Sequence, residues 1–81
     1  MDREVVFNEE LGCSFHTIEV FPEKDRIIQF RGQGVPNMSS CIELSKRLYP
    51  EVQMIVCHDE QFGRTTAYFL KNGNWEARSV R

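Results

Sequence analysis

The chain lacks several features that would place it quickly. No run of about 18 apolar residues is present, so no helical membrane span is expected. The first residues, Met1-Asp2-Arg3-Glu4, show no basic region leading into an apolar stretch, and no secretory signal is expected. Cysteine is scarce and odd in number, Cys13, Cys41 and Cys57, whereas a disulfide-stapled secreted miniprotein carries an even set. A reducing, cytoplasmic setting follows as the expectation. No internal repeat, low-complexity tract or Pro/Gly/Ser linker divides the chain, and no RNP-like or helix-turn-helix sequence is present.

What is there describes one small domain over residues 1–81, 41% hydrophobic and 27% charged. Chains of this length bury about 60–65% of the surface they expose when unfolded, which leaves no room for a second core. The net charge of −2 hides an uneven distribution. Residues 1–25 hold Asp2, Glu4, Glu9, Glu10, Glu19, Glu23 and Asp25 against Arg3 and Lys24 alone, and the remainder is net basic. Long-range attraction for nucleic acid is therefore weak, although a local basic patch remains open.

Ser14 to Phe21 is rich in β-branched and aromatic residues and predicts a strand. Pro22-Glu23-Lys24-Asp25 predicts a turn, and Arg26 to Arg31 a second strand completing a hairpin. Val5-Val6-Phe7 fits either an edge strand or the lead-in to a turn at Glu9–Gly12. After a break at Gly32-Gln33-Gly34-Val35-Pro36-Asn37, Ser40 and Glu43 match a capping box, with Asn37 and Ser39 as alternative caps. Cys41, Leu44 and Leu48 then form an apolar helical stripe that Pro50 terminates. Val52 to Cys57 alternates with apolar residues on both faces, which suits a central strand. His58 to Arg64 reads as a loop. Thr65 to Leu70 and Trp75 to Val80 read as strands joined through Asn72-Gly73, the pair that a type I′ turn requires. The expected fold is α+β: an antiparallel sheet of four to six strands with one α-helix packed on one face, in the order β-β-α-β-β-β.

Two catalytic constellations can be written down. Cys13, His16, Cys57 and His58 are zinc-type ligands, but in extended geometry Cys57 and His58 point to opposite faces, as do Cys13 and His16. Cys41 stands near a helix start with His16 or His58 as a base and Asp59 or Glu60 to orient it. It also heads the apolar stripe, where cysteine packs as a small hydrophobe. Neither a catalytic residue nor a metal ligand is assigned, no cofactor is expected, and an enzyme is the less favoured class.

Arg31, Gly32, Gln33 and Gly34 lie between a strand and a helix start, where bare amides hold anions. Arg31-Gly32-Gln33-Gly34-Val35-Pro36 resembles the phosphate-binding segment of the acyl-CoA N-acyltransferase superfamily, and Ala67 to Gly73 is similar to a later segment with a tyrosine ahead of a lysine. That resemblance implies a coenzyme A-binding acyltransferase-like domain in which the Gly32–Val35 amides hold the pyrophosphate. Pro36 stands where that family has Gly or Ala.

A third class is a sheet that stacks single-stranded nucleic acid on rings flanked by cations. The leading expectation is a non-enzymatic adaptor or inhibitor that binds a protein partner, or a second copy of itself, through a sheet face or edge. Apolar residues fall on both faces of several strands: Phe15 and Phe21 against Ile18 and Val20, Ile27 against Ile28 and Phe30. One helix covers one face. Phe15, Phe21, Ile27, Arg31, Tyr68 and Arg78 are the candidate contact residues.

Overall fold

The computed structural model describes residues 6–80, with side chains from residue 9 onward. Six strands form one sheet in sequential order: β1 (Val6–Asn8), β2 (Cys13–Phe21), β3 (Ile27–Gln33), β4 (Met54–Asp59), β5 (Arg64–Lys71) and β6 (Asn74–Ser79). The helix α1 (Met38–Leu48) connects β3 to β4. The α+β class and the β-β-α-β-β-β order are as the sequence indicates, with β1 added in front. Val6 to Asn8 is a strand, and Val5 lies outside the described residues.

Four strand pairs are antiparallel, but β3 and β4 run parallel from Ile27↔Met54 to Gly32↔Asp59. The sheet is therefore mixed rather than wholly antiparallel. A helical crossover carries the chain back to the end of the sheet where β3 began, so β4 runs in the same direction as β3.

Local chemistry sets the turns. Asn72 and Gly73 have φ of 52° and 81°, the two positive values that close the tight β5–β6 hairpin. Asn37 caps α1, its side-chain oxygen accepting the Ser40 N–H at 3.1 Å, a contribution of about 1 kcal/mol for such a cap. Tyr49 ends the helix just before Pro50.

The buried stripe of α1 differs from Cys41-Leu44-Leu48. Cys41, Ile42 and Ser45 are buried, Leu44 is half-buried and Leu48 is exposed. The face continues from Cys41 through Ser45 to the half-buried Tyr49, residues four apart. Because the middle residue is a serine, the hydrophobic pattern points one residue away from it. The Ser45 hydroxyl lies in the core without a hydrogen-bond partner.

A bulge in β2 decides which side chains enter the core. Phe15 pairs with Gly32 and Thr17 with Arg31, leaving His16 as the extra residue. The alternation resets there, so Phe15 joins Ile18 and Val20 on the helix side and Phe21 alone faces away. Phe15 is therefore not opposed to Ile18 and Val20. It packs against Phe30 with ring centroids 4.9 Å apart, in a core that includes Leu11, Ile28, Ile55, Cys57 and Tyr68. Leu11, in the β1–β2 turn, is buried, and its carbonyl accepts the Asn37 N–H at 2.8 Å. That bond ties the turn to the start of the helix.

Candidate functional site

Strand register sorts the side chains into two faces. The helix-side rows are Phe15, Gly32 and Asp59; Ile18, Phe30 and Cys57; and Val20, Ile28, Ile55 and Tyr68. The open side carries three rows across β2 to β6: Phe21, Ile27, Met54, Phe69 and Glu76; Glu19, Gln29, Val56, Ala67 and Arg78; and Thr17, Arg31, His58 and Thr65.

Four of the six candidate contact residues lie on the open side: Phe21, Ile27, Arg31 and Arg78. The other two do not. Phe15 is fully buried under the helix, and Tyr68 is 3% exposed, with its hydroxyl donating to the Pro36 carbonyl at 3.1 Å. Burial pushes the Tyr68 phenol above its ordinary range, so it stays a neutral donor. The reset at His16 buries Phe15, and the β4–β5 register places Tyr68 opposite Ile55 in the core.

The open face has an apolar end and a polar end. Phe21, Ile27, Met54 and Phe69 are half-buried neighbours in one row. The Arg78 guanidinium lies 5.5 Å from the centre of the Phe69 ring, a cation–π contact. A concavity of about 420 Å³ opens here, floored by Met54, Val56 and Ala67 and flanked by Phe69, Arg78 and Val80.

At the polar end, His58 lies in a strand rather than a loop. Its Nε2 meets Gln29 Oε1 at 3.1 Å and its Nδ1 meets the Thr65 hydroxyl at 3.2 Å. With the amide oxygen as acceptor, Nε2 donates and Nδ1 accepts, the pattern of a neutral imidazole. Burial first, and then nearby Arg31, hold its pKa below the ordinary histidine value, against the opposing pull of Glu19 and Glu60. Arg31 reaches Glu19 at 3.5 Å and Gln29 at 3.4 Å.

Close backbone packing constrains the two glycines of the Arg31–Gly34 segment. A Cβ on Gly32 would stand 2.0 Å from the Ser14 carbonyl oxygen, where the bulged strand crosses it. Gly34 has φ of 97°, and a Cβ there would meet Cys13 Cβ at 2.8 Å. The Gly34 N–H donates to Asp59 Oδ1 at 3.1 Å. Asp59 is 2% exposed, also accepts the Gln61 N–H at 3.1 Å, and pairs with Arg64 at 3.0 Å. The Gly34 bond first, then Arg64 and the Gln61 amide, hold its carboxyl below the ordinary range although burial acts the other way. This carboxylate clips the β3–α1 loop to the β4–β5 turn. A cavity of about 370 Å³ lies beside this loop, lined by Glu9, Gly12, Cys13, Ser14, Gln33, Gly34 and Gln61, none of them a cation.

The sulfur and imidazole groups do not converge. Cys41 Sγ lies 3.8 Å from Cys57 Sγ inside the core, while His58 is across the sheet and His16 is exposed, bonded to Glu60 at 2.5 Å. Cys13 is pushed up to about 11 by burial and by Cys41, and Cys57 is raised further by its contact with Cys41 and by burial. Thiols held in the protonated form are poor nucleophiles. No cluster among the described residues has the disposition to hold a metal ion, and no helix of the described residues is long and apolar enough to cross a membrane.

Met54, Val56, Ala67, Phe69, Glu19, Gln29 and His58 complete the open face beyond the sequence candidates. The alternation in Val52 to Cys57 places Met54 and Val56 together, but only the strand register brings Phe69 and Ala67 beside them. Comparison with protein-family models, curated proteins and solved structures gives no match.

Proposed function

We propose that the chain is a non-catalytic binding module that docks a protein partner on the open face of its sheet, as an adaptor or inhibitor in the cytoplasm. The observation that carries this reading is the registered apolar row Phe21–Ile27–Met54–Phe69, continuous with the concavity over Val56 and Ala67, on the face that the helix leaves bare. Contiguous apolar surface with a polar margin is the character of a protein contact. Three unbridged thiols support a reducing compartment.

The chemistry of the face favours protein over nucleic acid. Its cations, Arg31, Lys71 and Arg78, exceed its carboxylates, Glu19 and Glu76, by one, and Arg31 is already paired with Glu19, so the face offers little of the positive excess that a phosphate backbone requires. The test is site-specific photo-cross-linking in the native host. A cross-linker at Met54 or Phe69 is expected to give discrete protein adducts, and one at Glu43 or Arg47 on the outer side of α1 is not. Equal labelling from both sides, or none from the sheet, overturns the reading.

A further inference from the structure

This inference rests on the open face being a docking surface and names its occupant. We infer that the partner seated there is a second copy of this chain, sheet against sheet, related by a two-fold axis along β4. The five strands β2 to β6 are the long ones, and β4 is the middle one. Rotation about β4 sets β2 against β6 of the second copy and β3 against its β5. In the observed register, Glu19 then faces Arg78 of the second copy, and Ile27 faces its Phe69. Met54, Val56 and His58 meet their own equivalents on the axis.

The charges agree with an axis along β4, which sets a carboxylate of one copy, Glu19, against a guanidinium of the other, Arg78. A two-fold axis across the strands and through the Arg78 row would instead stack Arg78 on Arg78. Arg78 has no carboxylate within salt-bridge distance among the described residues and rests only on the Phe69 ring. A partner carboxylate at this position completes it. Phe21 falls opposite Glu76 at the two margins, where an interface stays wet.

The available area agrees with a reversible dimer. Five strands about 4.8 Å apart and roughly seven residues long present a face of about 600 Å², so two copies bury about 1,200 Å², the lower edge of stable interfaces. Self-association in the micromolar range is expected. A second sheet over Met54 and Ile27 also covers apolar surface that the helix leaves bare.

Sedimentation velocity over a concentration series, with circular dichroism and unfolding measured on the same proteins, tests this. The wild-type chain is expected to pass from monomer to dimer as concentration rises into the micromolar range. Arg78→Glu is expected to weaken the dimer about three- to ten-fold, and combining it with Glu19→Arg to recover most of that loss. Val56→Arg, which sets two cations against each other on the axis, is expected to leave a folded monomer. A wild-type chain that stays monomeric through several hundred micromolar, or a dimer indifferent to Val56→Arg, overturns the inference. If a monomeric chain still cross-links to other proteins from Met54, the docking reading stands and only the identity of the partner falls.

Discussion

The two faces of the sheet carry apolar residues of similar kind but differ in what those residues touch. On the covered side, Phe15, Phe30, Ile28 and Ile55 are completely buried, and a tyrosine hydroxyl finds a carbonyl. On the open side, Phe21, Ile27, Met54 and Phe69 are only half-buried by their neighbours in the same row. Covered residues fold the chain, whereas open residues are available for contact. Apolar content alone does not separate the two roles; register and one bulge do.

The largest effect that separates the faces is at Gly32, where the covered side closes on β2. Gly32→Ala places a methyl group 2.0 Å from the Ser14 carbonyl, a backbone atom with nowhere to move, so β2 and β3 cannot keep their bulged pairing. Loss of cooperative unfolding by circular dichroism is expected. Gly73→Ala, whose Cβ would meet nothing within 4 Å, strains only its own turn; equal loss from both refutes the close-approach account.

A smaller effect compares aromatic residues across the sheet. Phe30→Ala is expected to cost about 3–5 kcal/mol in denaturant unfolding, as for other buried aromatics. Phe69→Ala on the open face is expected to cost about 1 kcal/mol, the typical figure for a partly exposed site. Comparable costs would mean that the open face is a second core.

The smallest effect is in the pH dependence. Because the folded state depresses the pKa of His58, the neutral imidazole contributes stability that is complete above its unfolded value and is lost as pH falls through the lowered folded value. Asp59, also depressed, contributes fully above the ordinary carboxylate range and loses that contribution at lower pH still. Acidification should therefore weaken the open face first. In His58→Gln the mildly acid step in stability disappears, while the strongly acid one remains. A pH profile identical to that of the wild-type chain would refute the assignment.

Much of this architecture is legible in the residues. Asn72-Gly73 names its turn, Asn37 stands among the cap candidates, and Pro50 bounds the helix, because each acts on its own neighbours. What is not legible depends on contacts distant in sequence. The bulge at His16 carries no glycine to mark it, yet it moves Phe15 into the core. Ser45 conceals the buried stripe of α1, since its hydroxyl breaks the hydrophobic pattern at a fully buried position. Tight backbone approach and anion binding both ask for glycine, so the residues of Arg31–Gly34 do not by themselves tell the two apart. The close approach depends on Ser14 and the loop clip on Asp59, both distant in sequence. His58 and Asp59 read as loop residues because polar side chains at a strand end carry no alternation, and their partners Gln29 and Gly34 lie far back in the chain.

The central claim is that the open face serves contact and the covered face serves folding. Met54→Asp tests it most directly, with unfolding free energy and cross-linking from Phe69 measured on the same variant. The account predicts a stability within about 1–2 kcal/mol of the wild-type chain and loss of the cross-links. An unfolded variant, or a folded one whose cross-links persist, would contradict it.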